Sequence, residues 1–205
     1  MEDSLIKELI ETVVEHLNSE EGSLNDAVSL AINFSTTNSI PSDILLTLCN
    51  SYGSNGAYEP AYVFAKAAAS LATGNMKAVA HYGAGIASYL LGLITEAEEQ
   101  YKKALEIDPK HLNTHSNYGN LLKQMGRQKE AEEQYKKALE IDPKHLNTHY
   151  NYGNLLMEMG RQKEAEEQYK KALEIDPNDA DTHYNYGNLL MEMGRQKEAE
   201  EQYKK

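Results

Sequence analysis

Cysteine occurs once in 205 residues, as Cys49, so no intrachain disulfide can form and the fold has to rest on burial alone. Long apolar runs are missing too: nothing approaches the roughly 18 consecutive apolar residues of a membrane-spanning helix. The opening stretch MEDSLIKEL is acidic and amphipathic, with no basic segment leading into an apolar one. No secretory signal is read there, and a cytoplasmic protein is expected. Positive charge is short. Twenty Lys and Arg face 32 Asp and Glu, giving a net charge of −12 and a pI of about 5.0. Nucleic acid and anionic membrane, which both need clustered Lys and Arg, are therefore not expected as partners. The shortage is deepest in residues 1–77, with three basic and ten acidic side chains, against 17 and 22 in residues 78–205. Gly-rich phosphate loops, nucleophile elbows and cysteine pairs are also lacking, so no catalysis, cofactor or metal is expected within the chain. What remains, 40% apolar and 25% charged, is the composition of a folded protein.

Proline is rare, and three of its five occurrences fall in Asp-Pro pairs at 108–109, 142–143 and 176–177, a spacing of 34. Residues 112–145 and 146–179 differ at five positions, and residues 182–205 copy 148–171 letter for letter. A looser mark, Gly followed five residues later by Ala, appears at Gly22/Ala27, Gly56/Ala61, Gly92/Ala97, Gly126/Ala131, Gly160/Ala165 and Gly194/Ala199. Its steps of 34, 36, 34, 34 and 34 establish an internal repeat. Each unit reads as two helices. His149, Tyr152, Gly153 and Leu156 recur at i, i+3, i+4 and i+7, one stripe of a helix that Gly160 closes in a left-handed cap. Ala165, Tyr169, Ala172 and Leu173 form the stripe of a second helix, which Pro177 stops. Small residues at Gly153 and Ala165 let the two backbones approach. A hairpin of this size cannot bury its own stripes, so neighbours must stack.

The unit resembles the tetratricopeptide repeat (TPR), a 34-residue helical hairpin with the pattern W-x2-L-G-x2-Y…A-x3-F…P. Here it reads His149-x2-Tyr152-Gly153-x2-Leu156, then Ala165-x3-Tyr169, then Pro177. His replaces Trp in every copy (His81, His115, His149 and His183), and Tyr replaces Leu and Phe. The resemblance is strong over 78–205. It implies an all-α fold, a right-handed superhelical solenoid of about six antiparallel helix pairs. TPR units are placed at 78–111, 112–145 and 146–179, with a truncated unit at 180–205 whose last helix is incomplete. Residues 1–77 match loosely. Segments 5–17 with 24–34, and 44–52 with 61–71, are read as two degenerate pairs capping the N-terminal end; a separate small helical domain is the alternative.

In TPR proteins the first helix of each pair lines a concave groove that holds a partner's peptide, and the resemblance carries that role to the residues around the motif glycine. The residue after it is Ile86, then Asn120, Asn154 and Asn188; two before it stand Gly83, then Asn117, Asn151 and Asn185. Asn offers one acceptor and two donors, so two such rows suit a peptide backbone whatever its side chains. Beside them lie Tyr82, Ser116, Tyr150 and Tyr184, and one turn on Tyr89, Lys123, Met157 and Met191, an adaptable and partly apolar platform. Glu158 and Glu192 favour Lys or Arg in the ligand. The TPR subtype that clamps acidic chaperone tails needs Lys and Arg at these positions and is not expected. Three of the five differences between units 112–145 and 146–179 fall on this face: Ser116/Tyr150, Lys123/Met157 and Gln124/Glu158.

Other candidates read as structural. His111-x3-His115 and His145-x3-His149 have a metal-ligand spacing but no third ligand. The Lys pairs at 102–103, 136–137, 170–171 and 204–205, interleaved with Glu, read as the solvated side of the second helices. Cys49, within ILLTLC, reads as buried and inert. The main expectation is a protein–protein interaction scaffold that binds an extended peptide or partner helix with basic or apolar side chains. Two readings compete with it. One is a structural spacer that self-associates end to end through the truncated C-terminal repeat, around Ala199 and Tyr203. The other is the regulatory array of a larger enzyme whose catalytic domain lies outside these residues.

Overall fold

The structure, a computed structural model, describes residues 2–205, with only the backbone of Glu2. Among the described residues there are twelve helices and no strand. They are α1 (Glu2–Leu17), α2 (Leu24–Thr37), α3 (Ser42–Ser54), α4 (Tyr58–Leu71), α5 (Gly74–Leu90) and α6 (Ile94–Ile107). After these come α7 (Leu112–Gln124), α8 (Gln128–Ile141), α9 (Leu146–Glu158), α10 (Gln162–Ile175), α11 (Ala180–Glu192) and α12 (Gln196–Gln202). None is long and apolar enough to cross a membrane.

The helix ends follow from local chemistry. Gly56, Gly92, Gly126, Gly160 and Gly194 sit at φ of 77°, 75°, 73°, 71° and 75°. This left-handed region suits glycine, and it lets the next residue bond back over the helix end. Arg127 N–H, for example, donates to Leu122 O at 2.9 Å and Gly126 N–H to Lys123 O at 2.9 Å. Gly22 departs from the pattern: its φ is not left-handed, and a Cβ there would stand 1.9 Å from His16 O. Helices α6, α8 and α10 each stop at an Ile, with Asp108, Asp142 and Asp176 as caps before the proline that bars further turns. His111 and Asp179 cap the starts of α7 and α11 by accepting from the N–H of Thr114 and Thr182.

The chain divides into two compact units, one ending at Pro109 and one beginning at Lys110. In the first, α4 is the hub: it packs against α1, α2, α3 and α5. It buries Ala61 to Ala65 and Ala67 to Ala69, a helix apolar nearly all round, as a central element must be. Leu9 and Val13 of α1, Ala27 and Ala31 of α2, and Leu45 and Cys49 of α3 complete that core. Helix α1 contacts α2 and α4 but, among the described residues, not α3. This first pair therefore stacks differently from the regular units, whose first helices touch. Helix α5 begins at Gly74, so the boundary drawn from sequence at 77/78 falls within its first turn.

In the second unit the hairpins α7–α8, α9–α10 and α11–α12 stack in order, α8 on α9 and α10 on α11, with α7, α9 and α11 side by side. The stripes foreseen in sequence point inward: Tyr152, Gly153 and Leu156 of α9 and Ala165, Tyr169 and Ala172 of α10 are all buried. Each unit is thus a stretch of stacked hairpins.

Glutamates of α8 and α10 tie successive hairpins together. Glu132 accepts from Arg161 at 2.6 Å, from the Tyr152 hydroxyl at 2.8 Å and from Lys136 at 2.7 Å. Glu166 does the same with Arg195 at 2.7 Å, Tyr186 at 2.8 Å and Lys170 at 2.8 Å. Lys136 and Lys170 are exposed, on the solvated side expected for the Lys pairs.

Candidate functional site

The motif glycines of α7, α9 and α11 do not mainly admit a backbone; they admit a ring. A Cβ added to Gly153 would stand 2.7 and 2.8 Å from Cε1 and Cδ1 of Tyr169. Gly119 meets Tyr135, Gly187 meets Tyr203 and, in the first unit, Gly85 meets Tyr101 in the same way. In the second unit each ring, anchored on its glycine, aims its hydroxyl at the next residue of the first helix. Tyr135 donates to Asn120 Oδ1 at 2.7 Å, Tyr169 to Asn154 Oδ1 at 2.7 Å, and Tyr203 to Asn188 Oδ1 at 2.8 Å. Burial, and after it the nearby Tyr150, Glu158 and Glu192, push the Tyr169 hydroxyl up, so it stays protonated as the donor.

This bond fixes the amide. With Oδ1 engaged, the Nδ2 groups of Asn120, Asn154 and Asn188, all half-buried, have no hydrogen-bond partner among the described residues. The row foreseen as acceptor and donor together presents mainly donors. The row two residues before the glycine is arranged differently. Asn185 directs its Nδ2 to the Tyr150 hydroxyl at 2.9 Å and to Asn154 Oδ1 at 3.0 Å, joining α11 to α9. Asn151 and Asn117 are half-buried on α9 and α7.

Tyr184 is 62% exposed and Met191 45% exposed, so α11 presents its part of the platform to solvent. Tyr150 and Met157 are half-buried, whereas Ser116, opposite Tyr150 in the repeat, is buried and accepts from Thr148 at 3.0 Å. Lys123 and Glu158 pair with each other at 3.2 Å, while Glu192 is exposed. Tyr82 belongs to the first unit, on α5, with its ring 6.5 Å from that of Tyr101.

The four histidines that stand at the Trp position of the repeat are polar bridges. His149 reaches Gln168 Oε1 through Nδ1 at 2.8 Å and Pro143 O through Nε2 at 2.9 Å; His183 repeats this with Gln202 at 2.7 Å and Pro177 at 2.8 Å. His81 and His115 meet Gln100 and Gln134 at 2.7 Å. His145 bonds Thr148 Oγ1 at 2.7 Å, at the start of α9. The i, i+4 histidine pairs are thereby committed to a helix start and a helix bridge, and no group of three potential metal ligands occurs among the described residues. Asn50 was missed as well. It lies six residues before Gly56, the offset of Asn154 from Gly160, and is exposed on α3.

Three family models, one described as "TPR repeat" and two as "Tetratricopeptide repeat", match residues 153–194, 76–144 and 134–167, together spanning 76–194. The chain belongs to the tetratricopeptide repeat family. No curated protein matches the sequence. Among solved structures, MamA from Desulfovibrio magneticus RS-1 is similar at 21% identity and a TM-score of 0.68, covering 80% of this chain and 91% of its own. PilF of Pseudomonas aeruginosa is similar at 21% identity and a TM-score of 0.70, covering 79% and 74%. YrrB, described as a TPR protein with an unusual peptide-binding site, is similar at 24% identity and a TM-score of 0.62, covering 82% and 86%. At these identities the likeness is one of fold. By family and fold the chain is a repeat scaffold of the protein-interaction class.

Proposed function

We propose that the face of α7, α9 and α11 binds an extended peptide segment of a partner protein, with Asn120, Asn154 and Asn188 donating to its backbone carbonyls. The observation that carries this reading is the tyrosine lock. Three amides at the same register each have their oxygen engaged from behind, leaving Nδ2 without a partner among the described residues. A donor row of this kind grips main chain and tolerates many side chains. Tyr184 and Met191 add an exposed apolar contact, and Glu192 favours Lys or Arg close by. The neighbour described by its peptide-binding site makes such a ligand class reasonable for this fold.

Peptides selected from a random display library on the full chain test this by calorimetry, with Asn120, Asn154 and Asn188 changed together to Ala. Each lost bond is worth about 1 kcal/mol net, so affinity falls about a hundredfold; the change also removes the acceptors of the Tyr135, Tyr169 and Tyr203 hydroxyls, so the titrations are run at a temperature where circular dichroism shows the variant still folded. Unchanged affinity sinks the assignment.

A further inference from the structure

The first unit carries a hollow at the register where the second carries its Asn, Met and Glu. Relative to the turn glycine, Asn50, Gly53 and Ser54 of α3 match Asn154, Met157 and Glu158, while Gly83, Ile86 and Leu90 of α5 match Asn151, Asn154 and Glu158. The structure brings Cys49, Asn50, Gly53, Gly83, Ile86 and Leu90 around one cavity of about 170 Å³, with no charged side chain in its wall. A missing ring contributes to it: where α10 has Tyr169, α4 has Ala65, and the phenol in the wall is instead that of Tyr58 at the start of α4. Small residues also leave room: a Cβ on Gly53 would meet only Ala61 Cβ, at 3.9 Å, and one on Gly83 would meet Cys49 Sγ at 3.4 Å and Ala65 Cβ at 3.8 Å.

We propose that this hollow holds one aliphatic or aromatic side chain of an extended peptide. The inference rests on the reading of the first-helix face as the peptide-binding face. A cavity of about 150 Å³ is enough for a benzene-sized group, and pockets for drug-sized ligands start at about 300 Å³. One Leu, Met or Phe side chain therefore fits, and a larger molecule does not. Leu90, 45% exposed, and Val79, 41% exposed, extend the apolar wall along α5. Along α3 the exposed stripe is polar, Asp43, Thr47, Asn50 and Ser54 at i, i+4, i+7 and i+11. It offers Asn50 to the ligand's main chain and a carboxylate to a neighbouring basic residue. Charge complementarity points the same way, since residues 1–77 hold only three basic side chains against ten acidic. An acidic flank on the peptide is disfavoured.

The test titrates the methyl-labelled full chain with N-acetyl-leucine amide and, separately, N-acetyl-glutamate amide, following the Ile86 and Leu90 methyl resonances. Saturable shifts with the leucine probe, absent with the glutamate probe, are expected. Gly53→Leu and Gly83→Leu each fill the hollow from one wall and should weaken leucine binding more than tenfold without lowering the melting temperature. Asn154→Ala with Asn188→Ala lies in the other unit and should leave this titration unchanged. No saturable shift, an equal response to both probes, or binding that survives both filled variants overturns the hollow. None of these outcomes touches the Asn-row experiment, whose failure would in turn leave the hollow's titration standing.

Discussion

Replacing Gly153 by alanine adds one methyl group where the Tyr169 ring of α10 lies against α9. That methyl would lie 2.7 Å from Tyr169 Cε1, so the ring must retreat roughly 0.7 Å to reach ordinary contact distance. Tyr169 is fully buried, and its hydroxyl is held 2.7 Å from Asn154 Oδ1. Retreat both strains the core and stretches that bond. Overpacking of this kind costs about 1–3 kcal/mol, and loss of the bond costs about 1 kcal/mol. Alanine's better helix propensity returns about 1 kcal/mol. The net destabilisation is therefore about 2 kcal/mol, or roughly 4–8 °C in a chain of this size. In a Tyr169→Ala background there is no ring to displace. The same Gly153→Ala change should then stabilise by about 1 kcal/mol, for a coupling of about 3 kcal/mol between the two sites. Repeat arrays unfold in parts, so urea melts should be paired with native-state hydrogen exchange at α9 and α10. If Gly153→Ala is neutral in the native background, or has the same effect in both, the tyrosine lock is not the contact that sets this packing.

Four further outcomes follow from the same contacts. Tyr169→Phe keeps the ring but removes one of the two donors to Asn154 Oδ1; it should cost about 1 kcal/mol in a urea melt and weaken binding of display-selected peptides more than this stability loss explains. His149→Phe leaves Gln168 and Pro143 O without their shared partner, and a loss of about 1–3 kcal/mol is expected by the same melt. Burial alone would raise the carboxyls of Glu132 and Glu166. Hydrogen bonds from Arg161, Lys136 and Tyr152 to the first, and from Lys170, Arg195 and Tyr186 to the second, outweigh burial and hold both at about 2. A folded value below the unfolded one of about 4.5 stabilises fully above that pH and is lost as pH falls towards 2. Stability measured from pH 5 to pH 2 should thus decline, and Glu132→Gln with Glu166→Gln should flatten the decline. Burial pushes the Cys49 thiol up to about 11, so native protein at pH 8 should react with iodoacetamide far more slowly than protein in urea; prompt native labelling would contradict its placement.

The helices and their ends were legible because each rests on local chemistry. Periodic stripes, a glycine that takes left-handed φ and a proline that bars continuation act within a few residues. The site was legible only as a face. Tyr169 to Asn154 spans 15 positions and His149 to Gln168 spans 19. In near-identical repeats every such offset recurs, whether or not the residues touch, so recurrence carries no information about contact. The feature that exposes the fold thus hides the site. The hub role of α4 was hidden for a different reason: its alanines look like an ordinary second helix until three neighbours besides its own hairpin partner are seen to cover it. Asn50 and the hollow beside it escaped because residues 1–77 keep the spacing of the repeat without its letters.

The five differences between units 112–145 and 146–179 can now be placed by what they touch. At His145/Asp179 the letter changes but the task does not, since both side chains sit at a helix start and bond the Thr three residues on. Lys144/Asn178 is exposed in both copies. The other three lie on the first-helix face and alter what that face presents: a buried serine against a half-buried tyrosine, a lysine against a methionine, a glutamine against a glutamate. Gly, Tyr, Asn, His and Gln, which lock the two helices of each hairpin, are unchanged. A spacer whose only task was length would have no reason to place three of its five differences there. Lys123→Met with Gln124→Glu, at positions that are half-buried and exposed, should therefore change which peptides are selected by display and shift the melting curve little. A large fall in stability with unchanged selection would assign the two positions to packing instead.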